Sequence, residues 1–130
     1  MIKATIIQDS VYLNRITTFE LEYPRFIHAE LMTHRQFSRN AASSRAIPIE
    51  RMHEHIKSNP AMPIHWGRNQ PGMQADEEVQ DIRSARNNWL VAMDTAIHGA
   101  RMLMQDGLHK QIANRVTEPF QTMKTVVTAT

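Results

Sequence analysis

Thr17-Thr18-Phe19-Glu20-Leu21-Glu22-Tyr23-Pro24 sets Phe19, Leu21 and Tyr23 in alternation with Thr18, Glu20 and Glu22. Successive side chains of an extended chain point to opposite faces, so this pattern predicts a strand with one buried face. Pro24 then marks a handover. Its fixed φ and missing N–H suit the first position of a helix. Phe26, Ile27, Glu30, Leu31 and His34 fall on one face of a short helix ending near Arg35 to Phe37. Upstream, residues 2–7 (Ile-Lys-Ala-Thr-Ile-Ile) read as a first strand, with residues 9–15 turning the chain between the two.

Downstream, residues 48–57 predict a second helix. Residues 59–72 carry Pro60, Pro63, Gly67, Pro71 and Gly72 and are expected to be irregular, with Met62 and Trp66 packing that segment onto the rest. A long helix is expected at about 76–105. Val79, Ile82, Arg86, Trp89, Met93, Ala96, Ile97, Ala100 and Leu103 keep 3–4 spacing there, and Asp76, Glu77 and Glu78 would complement its dipole at the start. Gly107 would end it, a short helix would follow at 108–115, and the Thr/Val-rich residues 120–130 read as a final strand. Two strands, helices and a closing strand define an α+β class, a mostly antiparallel sheet flanked by helices. At 130 residues the chain fits a single domain, 1–130.

An apolar fraction of 42% with 22% charged residues is ordinary globular composition. With no cysteine, disulfide scaffolds, thiolate metal sites and cysteine nucleophiles are excluded. No apolar run approaches a membrane span and the N-terminus lacks a signal-peptide pattern, so a cytoplasmic location is expected, with no membrane partner. The formal charge is only +2, yet between Arg25 and Arg51 five arginines face Glu30 and Glu50, a local excess of +3.

The centre of that excess is Thr33-His34-Arg35-Gln36-Phe37-Ser38-Arg39-Asn40-Ala41-Ala42-Ser43-Ser44-Arg45. Guanidinium forks match phosphate, and hydroxyl and amide groups fill its remaining lone pairs. The alternative is a solvated loop whose Ser and Asn only make turns and caps. A second polar group lies at Gln111 and Asn114, which share a helical face, with Arg115 beside them; a structural pairing of Arg115 with Asp106 or Glu118 is the plainer reading. The histidines show no metal-ligand spacing, so no metal is expected, and glycine-rich nucleotide loops and nucleophile elbows are missing.

Residues 33–45 resemble the signature of the flavin-dependent thymidylate synthases, Arg-His-Arg-x-x-Ser-x-Asn-Glu-x-Ser-x-Arg. The sequences agree at His34, Arg35, Ser38, Asn40, Ser43 and Arg45, while Thr33 and Ala41 stand where the motif has Arg and Glu. Gln111 to Pro119 is similar to the family's later helix, with its Arg followed by a Pro, and the run from Ser38 to Pro48 with Asn69 to Met73 is similar to divergent, phage-type members.

The resemblance implies methylation of dUMP to dTMP, with methylenetetrahydrofolate giving the carbon, NADPH the reducing equivalents and FAD relaying the hydride. It implies a flavin-dependent thymidylate synthase-like α+β fold and a homotetramer with active sites between subunits. By position, Ser43, Arg45 and Arg115 would be the substrate and catalytic residues, with Ser44 giving a further contact and Glu30 facing the nucleotide. His34, Arg35, Gln36 and Ser38 would hold the cofactor, and Asn40 would shape the loop. The flavin route needs no thiolate, in keeping with a chain free of cysteine. Family members run longer than this chain, so it is expected to lack their C-terminal segment. Two other readings stand beside this one: methylation of a different pyrimidine nucleotide, and a non-catalytic nucleotide- or nucleic-acid-binding module. The low net charge and the lack of interleaved aromatics argue against nucleic acid.

Overall fold

The computed structural model describes all 130 residues. Strands β1 (Lys3–Val11) and β2 (Arg15–Pro24) form an antiparallel hairpin, which turns in three residues rather than the expected seven. Asp9 lies within β1 because Arg15 binds its carboxylate, Nη2 to Oδ2 at 2.6 Å, and Thr17 donates to it at 2.9 Å. These partners hold the Asp9 carboxyl below the usual carboxylate range, the Arg15 hydrogen bond being the largest cause. After Pro24 a 3-10 turn (Arg25–Ile27) leads into helix α1 (His28–Met32).

The loop expected over residues 38–45 is in part a strand. β3 (Ser38–Ala41) pairs antiparallel with the last strand, β4 (Thr122–Ala129). The Ser-Arg-Asn-Ala segment has little β preference of its own, and β4 supplies the ladder. β4 also pairs with β2, giving a wholly antiparallel sheet of order β1-β2-β4-β3. The register sets Leu21 opposite Thr125 and Tyr23 opposite Met123, so the alternation of β2 continues across the sheet. On this face Tyr23, Met123, Thr125 and Val127 are buried, and the Tyr23 hydroxyl sits between Thr125 Oγ1 (2.6 Å) and His28 Nδ1 (2.7 Å).

Helix α2 (Ile49–Ser58) follows a 3-10 turn at Ser44–Ala46. The long helix, α3 (Ile82–Gln105), starts six residues later than its expected position. Residues 76–79 have other backbone partners: Arg68 N–H donates to the Glu77 carbonyl, Val79 N–H to that of Trp66, and Gly67 bridges Glu78. Asp81 is the true cap, its carboxylate accepting from Ser84 N–H at 2.9 Å. Met93 and Ile97 of α3 pack with Met52 and Ile56 of α2 and with Phe120 in one core cluster. Trp89 meets Phe26, Trp66 and Phe120 edge-on and donates Nε1–H to the Ala61 carbonyl, which pins the proline-rich segment onto α3. Gly107, at φ +89°, ends α3 in the left-handed conformation that glycine adopts without Cβ strain. A short α4 (Lys110–Ala113) and a 3-10 helix (Asn114–Phe120) return the chain to β4. No helix is long and apolar enough to cross a membrane.

Candidate active site

Two of the polar groups singled out in the sequence meet in space. A cleft of about 130 Å³ is walled on one side by Ser44 and Arg45, and on the other by Gln111, Asn114 and Arg115. The 3-10 turn at Ser44–Ala46 aims the first pair. Ser43 caps that turn, its Oγ accepting from Arg45 N–H at 3.3 Å, and its side chain is not part of the cleft wall. α4 and the 3-10 helix after it present the second group. Arg115 pairs with Glu118 at 3.3 Å, but both are well exposed, so the pair costs little to break in favour of a ligand phosphate.

The floor of the cleft was not legible in the sequence. Arg25 is anchored twice to Gln121: its N–H donates to the Gln121 carbonyl, and its Nε–H to Oε1, both at 2.8 Å. Gln121 Nε2 donates in turn to Thr117 Oγ1 at 3.0 Å, and Thr117 Oγ1 donates to Asn114 Oδ1 at 2.8 Å. Asn114 Oδ1 also accepts from His53 Nε2, at 3.2 Å. This chain of bonds fixes Arg25 and Asn114 from below. Burial is the main cause holding the His53 pKa below its ordinary 6.5, so the ring is neutral and Nε2 carries its proton. Arg25 contributed only to a charge count in the sequence, and 96 residues separate it from Gln121. His53 pointed nowhere because its chemistry is that of a buried support.

With Lys110, four cationic side chains reach the cleft against the single carboxylate of Glu118, a net +3. Arg25 spends Nε on Gln121, which leaves its two terminal amino groups for a ligand. Such a donor set binds a phosphate dianion through charge-assisted hydrogen bonds.

The other candidate residues lie elsewhere. Glu30 and His34 line a separate apolar cleft of about 340 Å³ with Leu21, Tyr23 and Leu31, and this shares no residue with the cationic one. His34 stacks on Phe37 at 5.7 Å, and its carbonyl accepts from Arg39. Arg35 and Gln36 are exposed on the turn after α1, and Ser38 is exposed on β3. No three His, Asp or Glu side chains gather as a metal site would require.

The antiparallel sheet and long helix define an α+β fold. Solved structures of the UMP/dUMP methylase PolB from Streptomyces cacaoi carry it. The form bound with 5-Br UMP superposes with a TM-score of 0.73 at 15% identity, over 99% of this chain and 71% of the other. The form bound with 5-Br dUMP gives 0.62 at 17% identity, over 89% of this chain and 49% of the other. Identities this low make the likeness one of fold. No protein-family model and no curated protein sequence matches the chain.

Proposed function

We propose that this chain is a pyrimidine-nucleotide methylase that binds dUMP and methylates it at ring carbon C5, in the manner of the flavin-dependent thymidylate synthases. The observation that carries the reading is the convergence of Arg25, Arg45 and Arg115 on one cleft. The motif at residues 33–45 supplied Arg45, the Gln111–Arg115 helix supplied Arg115, and the fold is one that a UMP/dUMP methylase also has. Arg45, Arg115 and Arg25 hold the phosphate, while Ser44, Gln111 and Asn114 fill its remaining positions. The cations also favour negative charge developing on the ligand. Ser43 serves by shaping the turn and has no base that would make it a nucleophile. UMP is the alternative substrate, favoured by the uridine nucleotide in the first of the two PolB structures.

His34, Arg35, Gln36 and Ser38 form an exposed set of cationic, amide and hydroxyl donors, which suits the diphosphate and polar ring edge of FAD. When bound, that group supplies the hydride chemistry, with NADPH as its reductant and methylenetetrahydrofolate as the carbon source. Within one chain, Glu30 and His34 lie in a different cleft from Arg45 and Arg115. A site built between subunits of a homotetramer reconciles these positions, one subunit giving the cationic cleft and another giving Glu30 and the flavin-side residues.

Titration calorimetry with dUMP tests the phosphate assignment. Arg45→Ala and Arg115→Ala are each expected to weaken binding by roughly 10- to 100-fold, the worth of a charge-assisted hydrogen bond. Wild-type affinity in both variants would falsify the reading. For the reaction itself, the chain should retain FAD with its visible absorbance, and release the C5 hydrogen of dUMP when folate and NADPH are supplied.

A further inference from the structure

Asn114 lines the cationic cleft, and its amide has two ends of opposite sign. An NH2 turned to a phosphate donates to it, whereas a carbonyl oxygen turned the same way repels it. The hydrogen bonds beneath the cleft decide which end an anion meets. Oδ1 accepts from Thr117 Oγ1 at 2.8 Å and from His53 Nε2 at 3.2 Å. Nδ2 has no partner within the protein and is not buried, so it is the end left to the cleft.

Thr117 alone leaves that choice open. Its hydroxyl lies 2.8 Å from the Asn114 main-chain carbonyl as well as from Oδ1. Arg25, which can only donate, takes Gln121 Oε1 and so turns Gln121 Nε2 towards Thr117 Oγ1. A hydroxyl oxygen has two lone pairs. With the Asn114 amide reversed, Thr117 Oγ1 would accept from Nδ2 as well and give its own proton to the main-chain carbonyl. His53 does not allow that reversal. The ring is 1% exposed and its Nδ1 has no partner, and an orphaned buried N–H is rarer than an orphaned acceptor. The ring proton therefore sits on Nε2, where a reversed amide would set NH2 against N–H.

We infer that His53 is a positioning residue of the cleft: by donating Nε2–H to Oδ1 it keeps the Asn114 NH2 towards the ligand, so that the amide adds a donor to the arginines. The inference rests on the phosphate reading of the Arg45–Arg115 cleft and adds how the polarity of that cleft is set. His53 does not line the cleft and acts through Asn114, from α2, 61 residues upstream.

Calorimetry of the full chain with inorganic phosphate tests this through a double-mutant cycle. Asn114→Ala removes the donor and is expected to weaken phosphate roughly tenfold, the worth of a hydrogen bond to a charged group. His53→Leu keeps bulk in the core but frees the amide to reverse, and should approach the same loss. His53→Gln, which restores a donor, should recover most of it. Added to Asn114→Ala, His53→Leu should cost nothing further. Multiplied losses in the double variant mean that His53 only supports the fold, and they overturn the inference. Wild-type affinity in His53→Leu or Asn114→Ala overturns it too, as does an equal loss in the Gln and Leu variants. If His53→Leu does not fold, nitrogen NMR of the wild-type chain decides. The Asn114 side-chain NH2 signal should shift when phosphate is added, and a signal that stays still overturns the inference. Unchanged phosphate affinity in Arg45→Ala instead overturns the reading beneath it.

Discussion

Two histidines held in the neutral form, His53 buried and His28 half-buried, tie stability to pH. His53 is 1% exposed and its Nδ1 has no partner, so a second proton there would meet no acceptor. His28 stacks on Tyr23, and burial, then Arg25 and Arg39, lower its pKa. Both rings titrate below 6.5 when folded and near 6.5 when unfolded. Below that value the unfolded chain binds more protons, so stability rises with pH there. Their contribution is complete above about pH 6.5 and declines as pH falls from 6.5 towards the folded-state pKa values. Urea unfolding from pH 5 to 8 should show this slope, and His53→Gln, which keeps a donor for Asn114, should flatten it. An equal slope in the variant would acquit His53. The same ring supports Asn114 beneath the phosphate cleft, so acid should weaken the ligand site and the fold together.

Among the elements, α3 carries the core and makes the plainest stability predictions. Ile97 is 2% exposed among Met52, Ile56, Met93 and Phe120, and Ile97→Ala should cost about 2–5 kcal/mol of unfolding free energy. Asp81→Ala removes one cap from an exposed helix end and should cost only about 1 kcal/mol. If the Asp81 variant proved the worse of the two in thermal unfolding, this account of α3 would be wrong. The stripe from Trp89 to Leu103 was readable because packing on one face writes a 3.6-residue period into the sequence. The helix start was not. Asp76 to Glu78 is good N-terminal chemistry, and only the distant carbonyls and N–H groups of residues 66–68 take that segment out of the helix. β3 was hidden for the same reason, since Ser38–Ala41 is a strand by virtue of β4, more than 80 residues later. The site divides likewise: local motifs gave Arg45 and Arg115, whereas Arg25 and Gln121 became visible only with the pairing of β2 and β4, which brings their ends of the chain together.

At the largest scale, these 130 residues expose more surface than their mass warrants. A folded monomer of 15.0 kDa has about 7,000 Å² of accessible surface by the general scaling, and this chain has 9540 Å². An excess on the order of 2,500 Å² per chain falls within the range of obligate interfaces. Much of it is apolar and organised. β1 is exposed along its whole length as a sheet edge, and the hairpin tip presents Val11, Tyr12 and Leu13 at 70%, 93% and 87% exposure. Val91 and Met102 on α3, with Ile112 and Val116 near the cleft, add further apolar surface. In the homotetramer proposed above, copies of the same chain cover part of these faces and join the Glu30–His34 cleft of one to the Arg45–Arg115 cleft of another. Light scattering after gel filtration should then give a mass that is a multiple of 15.0 kDa. Tyr12→Glu combined with Leu13→Asp should lower it, because two charges cannot be buried unpaired in an apolar contact. The dissociated variant should keep its affinity for inorganic phosphate, since the cationic cleft lies within one chain, and should lose methylation of dUMP. A wild-type chain that turns over dUMP as a monomer would overturn the shared-site arrangement and place Glu30 and His34 outside the chemistry.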